Sequence, residues 1–163
     1  MSEFWNDLIR TGRAPLAIAA VPIKPVKHIY LIGSLRNPKV PLIANILRDQ
    51  GHFVFDDWYA AGEIADDSWR DYERGRGRTF AQALSGLAAK HVFSFDYEHI
   101  NAADTCILVL PAGKSGHLEL GWGLGRGKRG YIILDSPERW DTMYQFADGV
   151  YTDITDLLPV LKE

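Results

Sequence analysis

Chemistry is concentrated between Asp104 and Leu134 (DTCILVLPAGKSGHLELGWGLGRGKRGYIIL). The residue types there read as an apolar strand from Cys106 to Leu110, a Pro/Gly loop, a helix opening near Gly116, and a strand from Tyr131 to Leu134. Glu119 then falls in the helix's first turn, where backbone N–H groups lack intrahelical partners and the helix dipole favours negative charge. The preceding loop, Ala112-Gly113-Lys114-Ser115-Gly116, adds a cation, a hydroxyl and two glycines that let backbone approach a ligand. An anion site and a stabilised carboxylate thus lie within one turn of each other, as a carboxylate nucleophile beside a nucleotide pocket requires. The plainer reading of Glu119, a charge that merely suits a helix start, rests on the same physics.

Several other chemistries are excluded. Gly113-Lys114-Ser115 has no glycine at the distance a phosphate-binding P-loop needs. Gly121-Trp122-Gly123-Leu124-Gly125 falls inside the helix, so it is no dinucleotide fingerprint. His28, His52, His91 and His99 show no metal-ligand spacing. The single cysteine, Cys106, rules out an intramolecular disulfide and a Cys-rich zinc site, and its mid-strand place reads as core filling. No metal and no dissociable cofactor are expected. A net charge of -3 gives no footprint for duplex nucleic acid. The apolar stretch from Ala14 to Val26 contains three prolines and is too short to span a membrane. A cytoplasmic protein is the expectation.

With 163 residues and 47% hydrophobic content, the chain has the size and core of one domain. Residues 1–26 read as an amino-terminal arm, with a short amphipathic helix from Ser2 to Thr11. The domain proper, 27–163, opens with an apolar strand, His28 to Ile32, and a loop, Gly33 to Pro38. A helix follows from Pro38 or Pro41 to about Gln50, and then a strand, His52 to Phe55. Strand, helix, strand at this spacing is a βαβ unit with a parallel pairing. Residues 59–90 read as an insertion over the carboxyl ends of the strands, with a helix from Thr79 to Lys90. Val92 to Phe95 is a short apolar run ending at Asp96, and His99 to Ala103 a helical turn. After Leu134 come a short helix from Pro137 through Phe146, an edge strand at Gly149 to Tyr151, and a terminal helix, Asp153 to Leu161. The order fits a Rossmann- or flavodoxin-like three-layer α/β/α fold with a mostly parallel sheet of about five strands.

Three segments, in this order, resemble the nucleoside 2-deoxyribosyltransferase superfamily, which includes the deoxynucleoside 5'-monophosphate N-glycosidases. Ile29-Tyr30-Leu31-Ile32-Gly33-Ser34-Leu35-Arg36 looks like the family's first strand and loop, most closely in its N-glycosidase form. Asp96, followed by Ala103-Asp104 and a strand, looks like the catalytic-Asp segment. Ser115-Gly116-His117-Leu118-Glu119-Leu120-Gly121 looks like the nucleophile segment, whose helix ends in Gly-Lys, here Gly127-Lys128. The resemblance implies that Glu119 attacks the anomeric carbon, that Asp96 serves as acid and then base, and that Tyr30 orients Glu119. Gly33, Ser34, Leu35, Arg36 and Asn37, with Gly113, Ser115, Gly116 and His117, would surround a nucleoside or its 5'-phosphate. The helix start should keep Glu119 ionised, while burial should raise the Asp96 pKa.

The chain also departs from the family. The transferases place an acidic residue about six positions before the nucleophile, to hold a 5'-hydroxyl. Gly113 stands there, which favours a phosphorylated ligand. His117 replaces a small residue. The insertion is long and supplies Trp58, Trp69 and Tyr72 as surfaces for a base. The family's habit of completing its site from a second subunit implies a homo-oligomer, with Tyr144, Asp148 and Tyr151 as candidates. Other readings stay open: Asp96 as an N-cap, Tyr30 as core, Arg36 as surface, and the whole pocket as a non-catalytic nucleotide-binding or sensing module.

Overall fold

The computed structural model describes residues 25–134 and 141–163. The expected helix at Ser2 to Thr11, and the opening of the one at Pro137, lie outside these residues. Five strands, β1 (His28–Ile32), β2 (Phe53–Phe55), β3 (Thr105–Val109), β4 (Arg129–Ile133) and β5 (Gly149–Tyr151), form one sheet in the order β2-β1-β3-β4-β5. Every pairing is parallel. Parallel strands need crossovers, and this strand order places the reversal of winding between β1 and β3. Open sheets of this kind bind ligands outside the carboxyl ends at that crevice.

Helices cover both faces, as an all-parallel sheet demands. On one face Ile29, Leu31, Ile107 and Ile133 pack against α1 (Lys39–Asp49) and the short α6 (Ile154–Leu157). On the other, Tyr30, Ile32, Cys106 and Leu108 meet Ile100 of α4 (Leu87–Ala102) and Leu120 of α5 (Lys114–Gly125). The alternation along β1 thus sends Tyr30 to the α4/α5 side. The expected three-layer α/β/α architecture is the observed one. Among the described residues, no helix is long and apolar enough to cross a membrane.

Several local expectations change. The insertion holds a 3-10 turn (Asp57–Ala61), α2 (Ala65–Gly75) and α3 (Phe80–Leu84). The single helix expected from Thr79 to Lys90 is broken at Ser85-Gly86, and Thr79 caps α3 through a reciprocal capping box with Gln82. The run Val92 to Phe95 and the turn at His99 are parts of one continuous α4. Its apolar residues suggested a break, yet Val92 and Phe93 simply lie on its exposed side. Helix α5 begins at Lys114 rather than near Gly116, because extended Gly113 is its N-cap. Gly116 marks a contact instead: a Cβ there would sit 3.0 Å from Ile32 Cγ2 and 3.1 Å from Leu108 Cδ1. The terminal helix stops at Leu157, and Pro159 leads into a separate 3-10 turn, Val160–Lys162.

Candidate active site

Tyr30 is the middle residue of β1 and 1% exposed. Its hydroxyl donates a 2.9 Å hydrogen bond to Glu119 Oε1, on α5. Helix α5 lies close to the sheet because glycines face it, so a side chain on its inner edge reaches across to the strand beside it. Phe55, the register partner of Tyr30 on β2, stacks on the tyrosine ring at 5.3 Å. His99 stacks on Phe55 in turn, at 3.9 Å.

Glu119 is the sixth residue of α5 and not in its first turn. The dipole's effect fades within that first turn. Burial of the carboxyl dominates and pushes its pKa up to about 7, against the lowering effect of the Tyr30 hydrogen bond and with a further upward push from Asp96. The expectation of a readily ionised Glu119 is therefore corrected. Tyr30 is driven upward by burial and then by Glu119 and Asp96, so it stays a hydrogen-bond donor.

Asp96 sits in the middle of α4, which overturns its reading as an N-cap. Burial raises its pKa as expected, opposed by His99 one turn on. Its Oδ1 is buried without a hydrogen-bond partner, a costly arrangement that suits a group whose partner is a reacting molecule. Asp96 is near enough to raise the pKa of both Glu119 and Tyr30. Two carboxyl groups and a tyrosine, drawn from α4, α5 and β1, therefore meet beside the β1/β3 crevice.

The surrounding residues divide. Ser115 and Glu119 are i and i+4 on α5 and share a face. Gly33 is half-buried, and a Cβ there would fall 2.5 Å from Val40 Cγ2, so only glycine lets the β1 loop turn so tightly over α1. Ser34 Oγ accepts from the Arg36 N–H at 3.2 Å, and Leu35 between them is half-buried. Asn37 is a correction. Its amide donates to the Val109 and Pro111 carbonyls (3.3 Å each) and its Oδ1 accepts from Lys39 N–H, so it ties the β1 loop to the β3 loop. With its backbone N–H bonded to Ser34 O, it has no donor left for a phosphate. Trp58 spends its Nε1–H on Leu31 O at 2.8 Å and lies against Gly33. His117 is exposed, its Nδ1 2.9 Å from Gly113 O and its Nε2 3.2 Å from the Tyr144 hydroxyl.

Tyr144 thus touches its own chain's site rim, and Asp148 clamps Arg129 and the Gly130 N–H of β4 at 2.8 Å each. Arg36 contacts Asp67 of α2 at 2.6 Å. Arg78 pairs with the buried Glu73 at 3.1 Å, which gives it a structural task. Sequence reasoning missed Phe55, His99 and Asp67. The first was legible as an aromatic residue of β2, the strand beside Tyr30; the other two depend on how α4 and α2 lie.

A parallel α/β sheet with two carboxyl groups near its switch point is the class that the fold and these side chains define. A structure search extends this. The chain matches a 2-deoxyribosyltransferase from the psychrotolerant bacterium Bacillus psychrosaccharolyticus, with a TM-score of 0.56 and 20% identity, over 82% of this chain and 94% of that one. The chain therefore shares the fold of that transferase. No family model and no curated protein matches it by sequence.

Proposed function

We propose that the chain is a nucleoside 2-deoxyribosyltransferase-like enzyme that cleaves or exchanges the N-glycosidic bond of a nucleoside 5'-monophosphate or nucleoside. The observation that carries this reading is the half-buried Tyr30–Glu119 hydrogen bond, with Asp96 close enough to act on both groups. In the proposed sequence, one Glu119 oxygen bonds to C1' as the C1'–N bond breaks, and Asp96 gives its proton to the departing base. Water, or the nitrogen of a second base, then attacks C1' while Asp96 takes its proton and the Glu119–C1' bond opens. This is the division of labour in retaining glycosidases, where one carboxylate lies beneath the sugar and one acid beside the leaving group. The developing positive charge on the sugar favours ionised Glu119, offsetting its raised pKa when it is needed.

The phosphorylated ligand is supported by Arg36 and Ser34 in the β1 loop and by Gly113, where the space for a Cβ is open and no carboxylate meets a 5'-hydroxyl. A homo-oligomer is supported by a contiguous exposed strip of Phe93, Tyr97, Trp122 and Leu118 along α4 and α5.

The test is a panel of nucleosides and monophosphates assayed for released or exchanged base, with Glu119→Gln in parallel. The variant should lose about three orders of magnitude in rate or more and retain ligand affinity. Binding of a nucleotide with no turnover by the unaltered protein would favour a sensing module instead.

A further inference from the structure

The guanidinium of Arg36 is held by the insertion. Its Nη2 lies 2.6 Å from Asp67 Oδ2, while Asp67 Oδ1 lies 2.8 Å from Arg70 Nη1. One carboxylate therefore bridges two guanidiniums, one from the loop after β1 and one from its own helix, α2. Arg70 is held in turn by Asp71, its Nε donating over 2.9 Å. This bridge joins α2 to the loop that faces the β1/β3 crevice. All three side chains of the bridge are substantially exposed, at 58%, 43% and 47% for Arg36, Asp67 and Arg70.

We propose that Asp67 is a specificity-determining residue: a 5'-phosphate has to displace it from Arg36, and in doing so uncouples α2 from the β1 loop. The inference rests on the phosphate-binding part of the proposed function. An exposed carboxylate–guanidinium pair is weak, whereas a phosphate brings up to two charges and three strong acceptors to the same fork. The exchange is balanced, because the displaced carboxylate keeps Arg70 as its partner and no ion is left alone. A nucleoside without phosphate cannot make the exchange, so Asp67 tunes the preference between the two ligand classes. Arg70 acts on Arg36 only through Asp67, as a positioning residue.

The experiment measures affinities by calorimetry in the non-turning-over Glu119→Gln protein, for 2'-deoxyribonucleoside 5'-monophosphates and the matching nucleosides. Asp67→Asn should tighten monophosphate binding by about two- to fivefold, the worth of one exposed ion pair, and leave nucleoside binding as it was. Arg70→Ala should act in the opposite direction, since Asp67 then has only Arg36. With Arg36→Ala in place, Asp67→Asn should have no effect on the monophosphate. An Asp67→Asn protein with an unchanged or reduced preference for monophosphate over nucleoside overturns the proposal. If nucleosides bind and no monophosphate does, the phosphate reading itself fails and takes the proposal with it. If monophosphate binding depends on Arg36 and not on Asp67, only the proposal falls.

Discussion

A carboxylate that attacks a sugar carbon has to be ionised, and burial opposes ionisation. Glu119 is placed where burial wins, with its pKa near 7 against an ordinary 4.5. Its folded pKa lies above its unfolded one, so between those values the native state binds more protons than the unfolded state. Stability attributable to this group is fully present below about pH 4.5 and is lost as pH rises through about 7. Glu119→Gln cannot ionise, and should therefore be more stable than the unaltered protein above pH 7, by on the order of 2 kcal/mol, with little difference near pH 4. Melting curves at the two pH values check this, and an equal shift at both would remove the argument. Burial raises the Asp96 carboxyl in the same direction, opposed by His99. At this scale the sequence named a candidate and misjudged its state. The spacing of residue types pointed to Glu119, but its protonation follows from depth, which no linear pattern records.

Helix α5 carries Glu119, the proposed nucleophile, and lies close to the sheet. Gly123 is the tightest point of that approach: a Cβ there would meet Cys106 Sγ at 2.6 Å. Cys106 itself is plain packing, its thiol pushed up to about 12 by burial. The helix closes with a Schellman pairing, Lys128 N–H to Gly123 O and Gly127 N–H to Leu124 O, with Gly127 at φ 77°. Gly123→Ala should destabilise by about 1–3 kcal/mol through overpacking, and most of that loss should vanish in a Cys106→Ala background. Thermal unfolding of the four proteins of this cycle checks it; the same penalty in both backgrounds would place the strain elsewhere. The start of α5 was misjudged by two residues because Gly116 looked like a helix opening. Its smallness serves the contact with Ile32 and Leu108 instead.

The whole molecule is a parallel sheet whose switch point collects side chains from distant stretches; Tyr30 and Glu119 are 89 positions apart. Its α4/α5 flank leaves Phe93 at 65% and Leu118 at 76% exposure. Apolar side chains so placed suit burial against a second copy. Phe93→Asp with Leu118→Asp should convert an oligomer to monomer, read by light scattering, and a monomeric unaltered protein would contradict the proposed assembly.

By itself the sequence determined the strands, their mostly parallel pairing and the candidate carboxylates, because buried apolar runs, glycine stops and βαβ spacing are local signals. The tertiary structure decided which partners those groups have. Asp96 became a mid-helix acid with an orphaned oxygen, Asn37 a brace between loops, and Arg36 the partner of Asp67. Hydrogen bonds and desolvation act over a few ångströms in space, and that proximity exists only once the sheet has brought the segments together.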